Sequence, residues 1–263
     1  MRIIISPAKK MRVDTDTFPI RDLPVFLHKA EELMEWIQGL SFAEQKKLWA
    51  CNDQIARENA ERFAGMDLKH DLTPAILSYD GIQYAYMAPS VLEKDAFAYV
   101  QRNLRILSGF YGVLKPMDGV VPYRLEMQAK VAVGDFKNLY EFWADALYQE
   151  VIDSSRIIVN LASKEYSRCI ERYISPADRY ISCVFGELEN EKVVQKGVYA
   201  KMARGDMVRY MAENKIETPE QLKDYDRCCY HFDESRSTDT EYVFVRTQTP
   251  GKQQQLAQDV SWS

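Results

Sequence analysis

The sequence predicts a mixed α/β (α+β) fold in a single compact domain. Three observations carry that expectation. Strand-like apolar runs are interleaved with helical periodicity, no linker-like stretch or internal repeat interrupts them, and 263 residues suffice to bury one sizeable core. Apolar residues make up 46% of the chain and charged residues 28%, which is the composition of a folded protein rather than a disordered one.

The elements follow in order. Arg2 to Ile5 reads as a short buried strand that ends in the Ser6-Pro7 turn, with Lys9 and Lys10 behind it. Leu23 to Gln38 repeats Phe26, Leu27, Leu33, Met34 and Ile37 at helical spacing and stops at Gly39. Ser41 and Glu44 form a capping box that opens a second helix to about Phe63. The apolar run from Thr73 closes at the Asp80-Gly81 turn, and Ser90 to Leu107 is expected to be helical. Asn138 to Ile152 has the pattern of an amphipathic helix. Arg156 to Leu161 is a buried strand, and Ala162-Ser163-Lys164 turns it into a helix running through Ile174. Arg179 to Phe185 and Glu191 to Gln195 look like strands, followed by a helix from Val198 to Asn214 despite Gly205. Thr218-Pro219 opens a short helix and Glu241 to Arg246 is the last strand. The domain is therefore expected over residues 1–246, with a loose tail over 247–263.

Bulk properties exclude several classes. No run reaches the ~18 apolar residues that span a membrane, and MRIIISPAKK is too soon interrupted for a signal peptide, so a cytoplasmic location is expected. The five cysteines, at 51, 169, 183, 228 and 229, include no CxxC spacing and fit reduced thiols. His28, His70 and His231 lie far apart, and no fingerprint of a metal or cofactor site is present, so neither is expected. A net charge of −5 argues against nucleic-acid binding over the whole surface. Local charge differs. From Lys192 to Arg209 the cations Lys192, Lys196, Lys201, Arg204 and Arg209 stand against Asp206 alone, and Lys9, Lys10 and Arg12 make a second cluster. Each patch is either a solvated face or a grip for a polyanion.

Two segments share one design, an apolar strand running into a small polar turn: Ile3 to Lys10 and Ile157 to Glu165. Ligands of open α/β sheets collect at such strand ends. Ser163 is placed to cap the next helix, either for that purpose alone or to help hold an anion with Lys9, Lys10 and Lys164. Lys201 and Arg204 can lie together on one helix face, while Arg209 sits more than 100° round from Arg204. Gly205 costs roughly 1 kcal/mol in mid-helix, which implies close approach by a neighbouring helix or by a ligand.

The densest segment is LRILSGFYGVLKPMDGVVPYRLEM, Leu104 to Met127, with three glycines. Ser108, Gly109, Tyr111, Gly112 and Lys115 resemble half of a helix-hairpin-helix, whose glycine turn holds DNA phosphate; a helix cap at Gly109 followed by ordinary turns fits as well. Tyr123, Arg124 and Glu126 form either an acid/base set or a structural ion pair. Asn160, Ser163 and Glu165 add polar groups that a simple binder would not need, so an enzyme acting on a nucleobase, nucleotide or DNA lesion stays open, with Tyr123, Arg124, Glu126 and Glu165 as catalytic candidates.

Taken together, the blocks ISPAKK, SYDGIQY, RILSGFYGVLKPMDGVVPYRLEM, NLYEFWAD, NLASKEY, AKMARGDMVRYM and EYVFVR resemble the YaaA family of bacterial peroxide-stress proteins over nearly the whole chain. Gln128 departs from the family pattern, which has glycine there. The resemblance implies a helix-hairpin-helix-like element over Ser108 to Lys115 and a basic cleft on Lys9, Lys10, Lys164, Lys201, Arg204 and Arg209. It also implies cytoplasmic binding of double-stranded DNA with little base specificity, and protection from oxidative damage by limiting free intracellular iron.

Overall fold

Arg2 to Ile5 forms an interior strand of the fold. In the computed structural model, which describes residues 1–130 and 133–247, this strand lies inside a nine-stranded sheet. Ile3, Ile4 and Ile5 are all wholly buried, as expected of a parallel strand covered on both faces. It pairs in parallel with Leu104–Ser108 on one side (Ile3 opposite Leu104) and with Ile157–Leu161 on the other (Ile3 opposite Val159). Beyond Ile157–Leu161 the parallel arrangement continues with Arg179–Glu189 and Glu241–Arg246. Antiparallel strands close the edges: Gly112–Leu114 beside Leu104–Ser108, and Tyr230–Phe232 with Asp226–Arg227 beyond Glu241–Arg246. Lys192–Val194 folds back on Arg179–Glu189.

Numbered by chain order, the five parallel strands lie as 2-1-3-4-5. The direction of strand addition therefore reverses between the first strand, Arg2–Ile5, and the third, Ile157–Leu161. In open sheets a crevice opens at the carboxyl ends of the strands at such a switch point, and ligands bind there. The mixed α/β class is as expected from the sequence, and the switch point positions the site.

Several expected elements take another form. The span expected as one helix from Ser41 to Phe63 is two, Phe42–Trp49 and Asp53–Ala64. The capping box at Ser41 forms, but Ala50 turns left-handed (φ 45°) and Asn52 caps the second helix by accepting from Ile55 N at 2.9 Å. Asn138 to Ile152 likewise divides at Ala144 (φ 46°) into Leu139–Trp143 and Ala146–Val151, and the break lets Trp143 and Leu147 both pack on Gly112. The helix expected from Ser90 to Leu107 covers only Lys94–Asn103. Leu104 becomes extended and the next residues join the sheet. A run buried at every position has no exposed face to reveal its period, so helix and strand read alike.

The helix-hairpin-helix expectation fails for the same reason. Ser108 to Lys115 belongs to a β-hairpin between Leu104–Ser108 and Gly112–Leu114, with Ile106 opposite Leu114 and Ser108 opposite Gly112. The Ser108 hydroxyl closes its turn by accepting from the N–H groups of Phe110 (3.1 Å) and Tyr111 (2.9 Å). Ser108, Phe110 and Tyr111 are wholly buried, so this turn offers no amides to an outside phosphate. Val198 to Asn214 matches the helix Gly197–Glu213, and the stretch after Thr218 is a 3-10 helix, Pro219–Asp224. The expected loose tail falls, from residue 248, outside the described residues. Among the described residues no helix is long and apolar enough to cross a membrane.

Candidate functional site

At the switch point the two strand ends touch. Ser163 N donates to Ser6 Oγ at 2.8 Å, and the two hydroxyl oxygens lie 3.1 Å apart. Ser163 makes no side-chain cap on its helix, Lys164–Glu171; its hydroxyl is turned to Ser6 instead. Tyr84, on the short helix Ile82–Met87, donates to the Ser6 carbonyl at 2.9 Å. Around these ends gather the Pro7-to-Lys10 loop, the 123–126 loop, Glu165 and Tyr166 on the Lys164–Glu171 helix, and Lys201 with Arg204 on Gly197–Glu213. Together they enclose a cavity of about 370 Å³.

Two glycines set the positions of its walls. A Cβ on Gly109 would lie 2.5 Å from the Leu125 carbonyl oxygen, so only glycine lets the 125–127 backbone lie directly on the hairpin. A Cβ on Gly205 would lie 2.0 Å from the Gln83 carbonyl oxygen. The close neighbour of Gly205 is therefore the Ile82–Met87 helix, not a ligand.

Beneath the cleft runs a buried hydroxyl chain. Tyr123 Oη lies 2.6 Å from Ser108 Oγ and 2.8 Å from Tyr79 Oη. Ser108 spends its lone pairs on two amides, so its proton goes to Tyr123, and the Tyr123 and Tyr79 hydroxyls share the next hydrogen bond. Burial pushes the Tyr123 phenol up to about 12 and raises Tyr79 well above its ordinary value. With its hydroxyl committed and its proton firmly held, Tyr123 positions the loop that carries Arg124 rather than trading protons.

Among the described residues three carboxylates line the cleft: the exposed Asp80, opposite Lys10 in the short Lys10–Met11 and Tyr79–Asp80 pairing, and Glu126 and Glu165, which differ from one another. Glu126 Oε1 accepts from Arg124 Nη2 at 3.1 Å and lies 3.0 Å from Lys9 Nζ, a doubly paired anion. Glu165 makes no ion pair among the described residues; Gln128 N donates to its Oε1 at 3.2 Å. Burial pushes the Glu165 carboxyl above the usual range, and the charge of Glu126 pushes the same way against that amide and Lys9. The cations differ as well. Lys10 and Lys201 make no ion pair among the described residues, and the Nε atoms of Arg124 and Arg204 are buried without a hydrogen-bond partner. Arg204 also donates from Nη2 to Gln195 Oε1 at 3.4 Å.

These residues come from ISPAKK, SYDGIQY, the end of the glycine-rich block, NLASKEY and AKMARGDMVRYM, so the blocks converge on one place. The family model described as Peroxide stress protein YaaA matches residues 1–236. The chain belongs to this family. A UPF0246 protein of Agathobacter rectalis is 60% identical over 246 residues, which cover 94% of this chain and 99% of the relative. Another from Lachnoclostridium phytofermentans is 56% identical, covering 94% and 96% respectively, and one from Desulfitobacterium hafniense is 53% identical, covering 94% and 98%. The family is named for peroxide stress, which gives this chain a role in the response to peroxide.

Of the residues singled out in the sequence, Lys9, Lys10, Tyr123, Arg124, Glu126, Ser163, Glu165, Lys201 and Arg204 line the cavity. The others lie elsewhere. Lys164 projects to solvent and pairs with Glu171, and Arg209 pairs with Glu213 at 2.7 Å. Lys115 donates its backbone N–H to Asp118 at 2.8 Å, in the turn after the hairpin. Ser108, Gly109, Tyr111 and Gly112 are inside the fold, as support for the 123–126 loop. Asn160 secures its own strand end, accepting from Ala162 N at 2.9 Å and donating to Ser182 at 3.2 Å. Sequence reasoning gave no role to Tyr84 or Tyr166; the available signal was their place in SYDGIQY and NLASKEY. Among the described residues no three metal-ligand side chains are grouped.

Proposed function

We propose that this chain is a cytoplasmic DNA-binding protein of the peroxide stress response, one that holds phosphate in the switch-point cleft with little base specificity. The observation that carries this is the set of cations with unspent donors on one cavity: among the described residues Lys10 and Lys201 make no ion pair, and Arg124 and Arg204, though each has one partner, keep buried Nε donors without one. Desolvated guanidinium donors call for an anion or another strong acceptor. An acidic protein can bind a polyanion at one such face. Binding of double-stranded DNA should weaken steeply with salt, with a slope near −0.9 per phosphate contacted. Duplex titrations between low and moderate salt that show no such dependence would remove this reading. Protection of DNA and proteins would follow from a lower level of free intracellular iron. Equal free iron in peroxide-treated cells with and without the gene would remove that part alone.

A second reading is an enzyme acting on a nucleobase, nucleotide or DNA lesion. It is favoured by the convergence of Arg124, Glu126 and Glu165 in a concave cavity, where a grip on the DNA backbone needs only a charged surface. Activity screens against nucleosides and damaged DNA, with Glu126→Gln and Glu165→Gln as controls, test it.

A further inference from the structure

We propose that the cleft takes a single nucleotide unit, with its phosphate on the Lys10, Lys201 and Arg204 cations and its base edge on the Glu165 carboxyl. The inference rests on the phosphate-binding reading of the same cleft and adds what lies beyond the phosphate. At about 370 Å³ the cavity sits at the small end of ligand sites, roughly 300–1,000 Å³, so it suits one monomer and excludes a stacked strand.

Its lining carries two chemistries. The cations supply the anion site. The same lining includes Tyr84 and Tyr166 and the Glu165 carboxyl, which makes no ion pair among the described residues. Glu126 is unsuited to base contact because Arg124 and Lys9 already occupy it. A neutral carboxyl presents an O–H donor beside a C=O acceptor, the pattern that matches adjacent acceptor and donor groups on a nucleobase edge.

Burial and the facing Glu126, which opposes a second negative charge, favour that neutral form, while the amides of Met127 and Gln128 on the same loop favour the ionised one. Lys9 favours ionisation from its own loop. Tyr166 and Cys169 on the same helix, and Tyr140 from the Leu139–Trp143 helix, are all raised by burial, so they stay uncharged near neutrality. Lys164 on that helix is engaged with Glu171. The nucleotide has two possible sources, a free monomer or an unpaired nucleotide turned out of a DNA strand.

The test is calorimetric titration of the intact protein with the four deoxynucleoside monophosphates, deoxyribose 5-phosphate and inorganic phosphate, from about pH 5 to about pH 8. A second arm follows the fluorescence of a duplex containing one unpaired 2-aminopurine, which brightens on unstacking. At least one nucleotide should bind roughly tenfold tighter than deoxyribose 5-phosphate at the acid end. That advantage should fall as pH rises through the Glu165 titration, because ionisation removes the donor. Glu165→Gln presents a donor and an acceptor at every pH, so its profile should be flat. Glu165→Ala should lose the base advantage and keep the sugar-phosphate affinity, whereas Lys201→Ala should weaken every phosphate-bearing probe alike. Unfolding midpoints within about 2 °C of the parent verify that the variants fold.

Binding of free nucleotides assigns the free source. A response from the 2-aminopurine duplex alone assigns the strand, and either result supports the inference. Nucleotides no tighter than deoxyribose 5-phosphate, together with a duplex that stays dark, overturn it while leaving phosphate binding standing. A pH profile unchanged by Glu165→Gln overturns the role of Glu165. Failure of every probe, inorganic phosphate and duplex included, removes both readings.

Discussion

The hairpin under the cleft and the cationic rim above it are built on opposite principles. In the hairpin every polar group of the hydroxyl chain is spent internally: Ser108 on two amides and Tyr123, and Tyr123 on Tyr79. Its rings pack on one another, with Phe110 stacked on Tyr123 at 5.0 Å between centroids. At the rim, among the described residues, Lys10 and Lys201 have no ion pair, and the buried Nε atoms of Arg124 and Arg204 lack a partner. A region whose groups are satisfied holds shape, whereas a region whose groups are unsatisfied is where a ligand can contribute free energy. The contrast also explains why the glycine hairpin lies beneath the cavity while the 123–126 end of the same segment lines it. Glycines and aromatics are concentrated where backbones must meet closely, at the support.

The comparison predicts that changes in the support act on stability and changes at the rim act on binding. The largest effect should come from Gly205→Ala, where a new Cβ meets backbone that cannot yield, followed by Gly109→Ala. Each should cost about 3 kcal/mol or more in urea unfolding. An unchanged unfolding midpoint would mean that the backbones are not in close contact.

Next comes Asp118, just beyond the hairpin. One of its oxygens accepts from Lys115 N while the other is buried without a partner, and burial pushes its carboxyl up to about 7. A raised native value means that the neutral form is favoured on folding. Stability should therefore be full below about pH 4 and decline as pH rises to about 7. Asp118→Asn should remove that decline and exceed the parent by roughly 1–3 kcal/mol at about pH 8. Parallel stability curves for the two proteins would exclude this assignment. The pH response of stability should thus sit beside the hairpin, and that of ligand binding at Glu165 in the cleft.

Tyr123→Phe should lose about 1–2 kcal/mol by leaving Ser108 and Tyr79 without their shared partner. A loss of DNA affinity with no loss of stability would instead place the Tyr123 hydroxyl on the ligand.

The smallest effect on folding belongs to the rim. Lys201→Ala should shift stability by less than about 0.5 kcal/mol and reduce the salt slope of DNA binding by about 0.9. Lys164→Ala, which removes only an exposed pair with Glu171, should leave that slope unchanged. If the two lysine variants behave alike, the cleft is not where phosphate is held.

Much of the fold is legible in the chain itself. The Arg2–Ile5, Ile157–Leu161 and Glu241–Arg246 strands, the Ser41 capping box and the Gly197–Glu213 helix each carry their signal in a local pattern of burial or a cap. The turns after Ile5 and Leu161 could be marked as ligand positions because strand ends and small polar residues adjoin in sequence. Other features depend on partners far away in the chain. Leu104–Ser108 is a strand because Ile3 and Ile5 pair with it, a contact across about a hundred residues that local periodicity does not encode. The backbone reversals at Ala50 and Ala144 follow from packing, since nothing in alanine demands a left-handed turn. The same holds for the cations. Lys164 and Lys201 are the same residue type and both are candidates in the sequence, and they part only when Glu171 neutralises one and the sheet's switch point receives the other. Residue type sets which groups are able to grip an anion, and long-range folding, by pairing some of them and burying others, sets which are left free to do so.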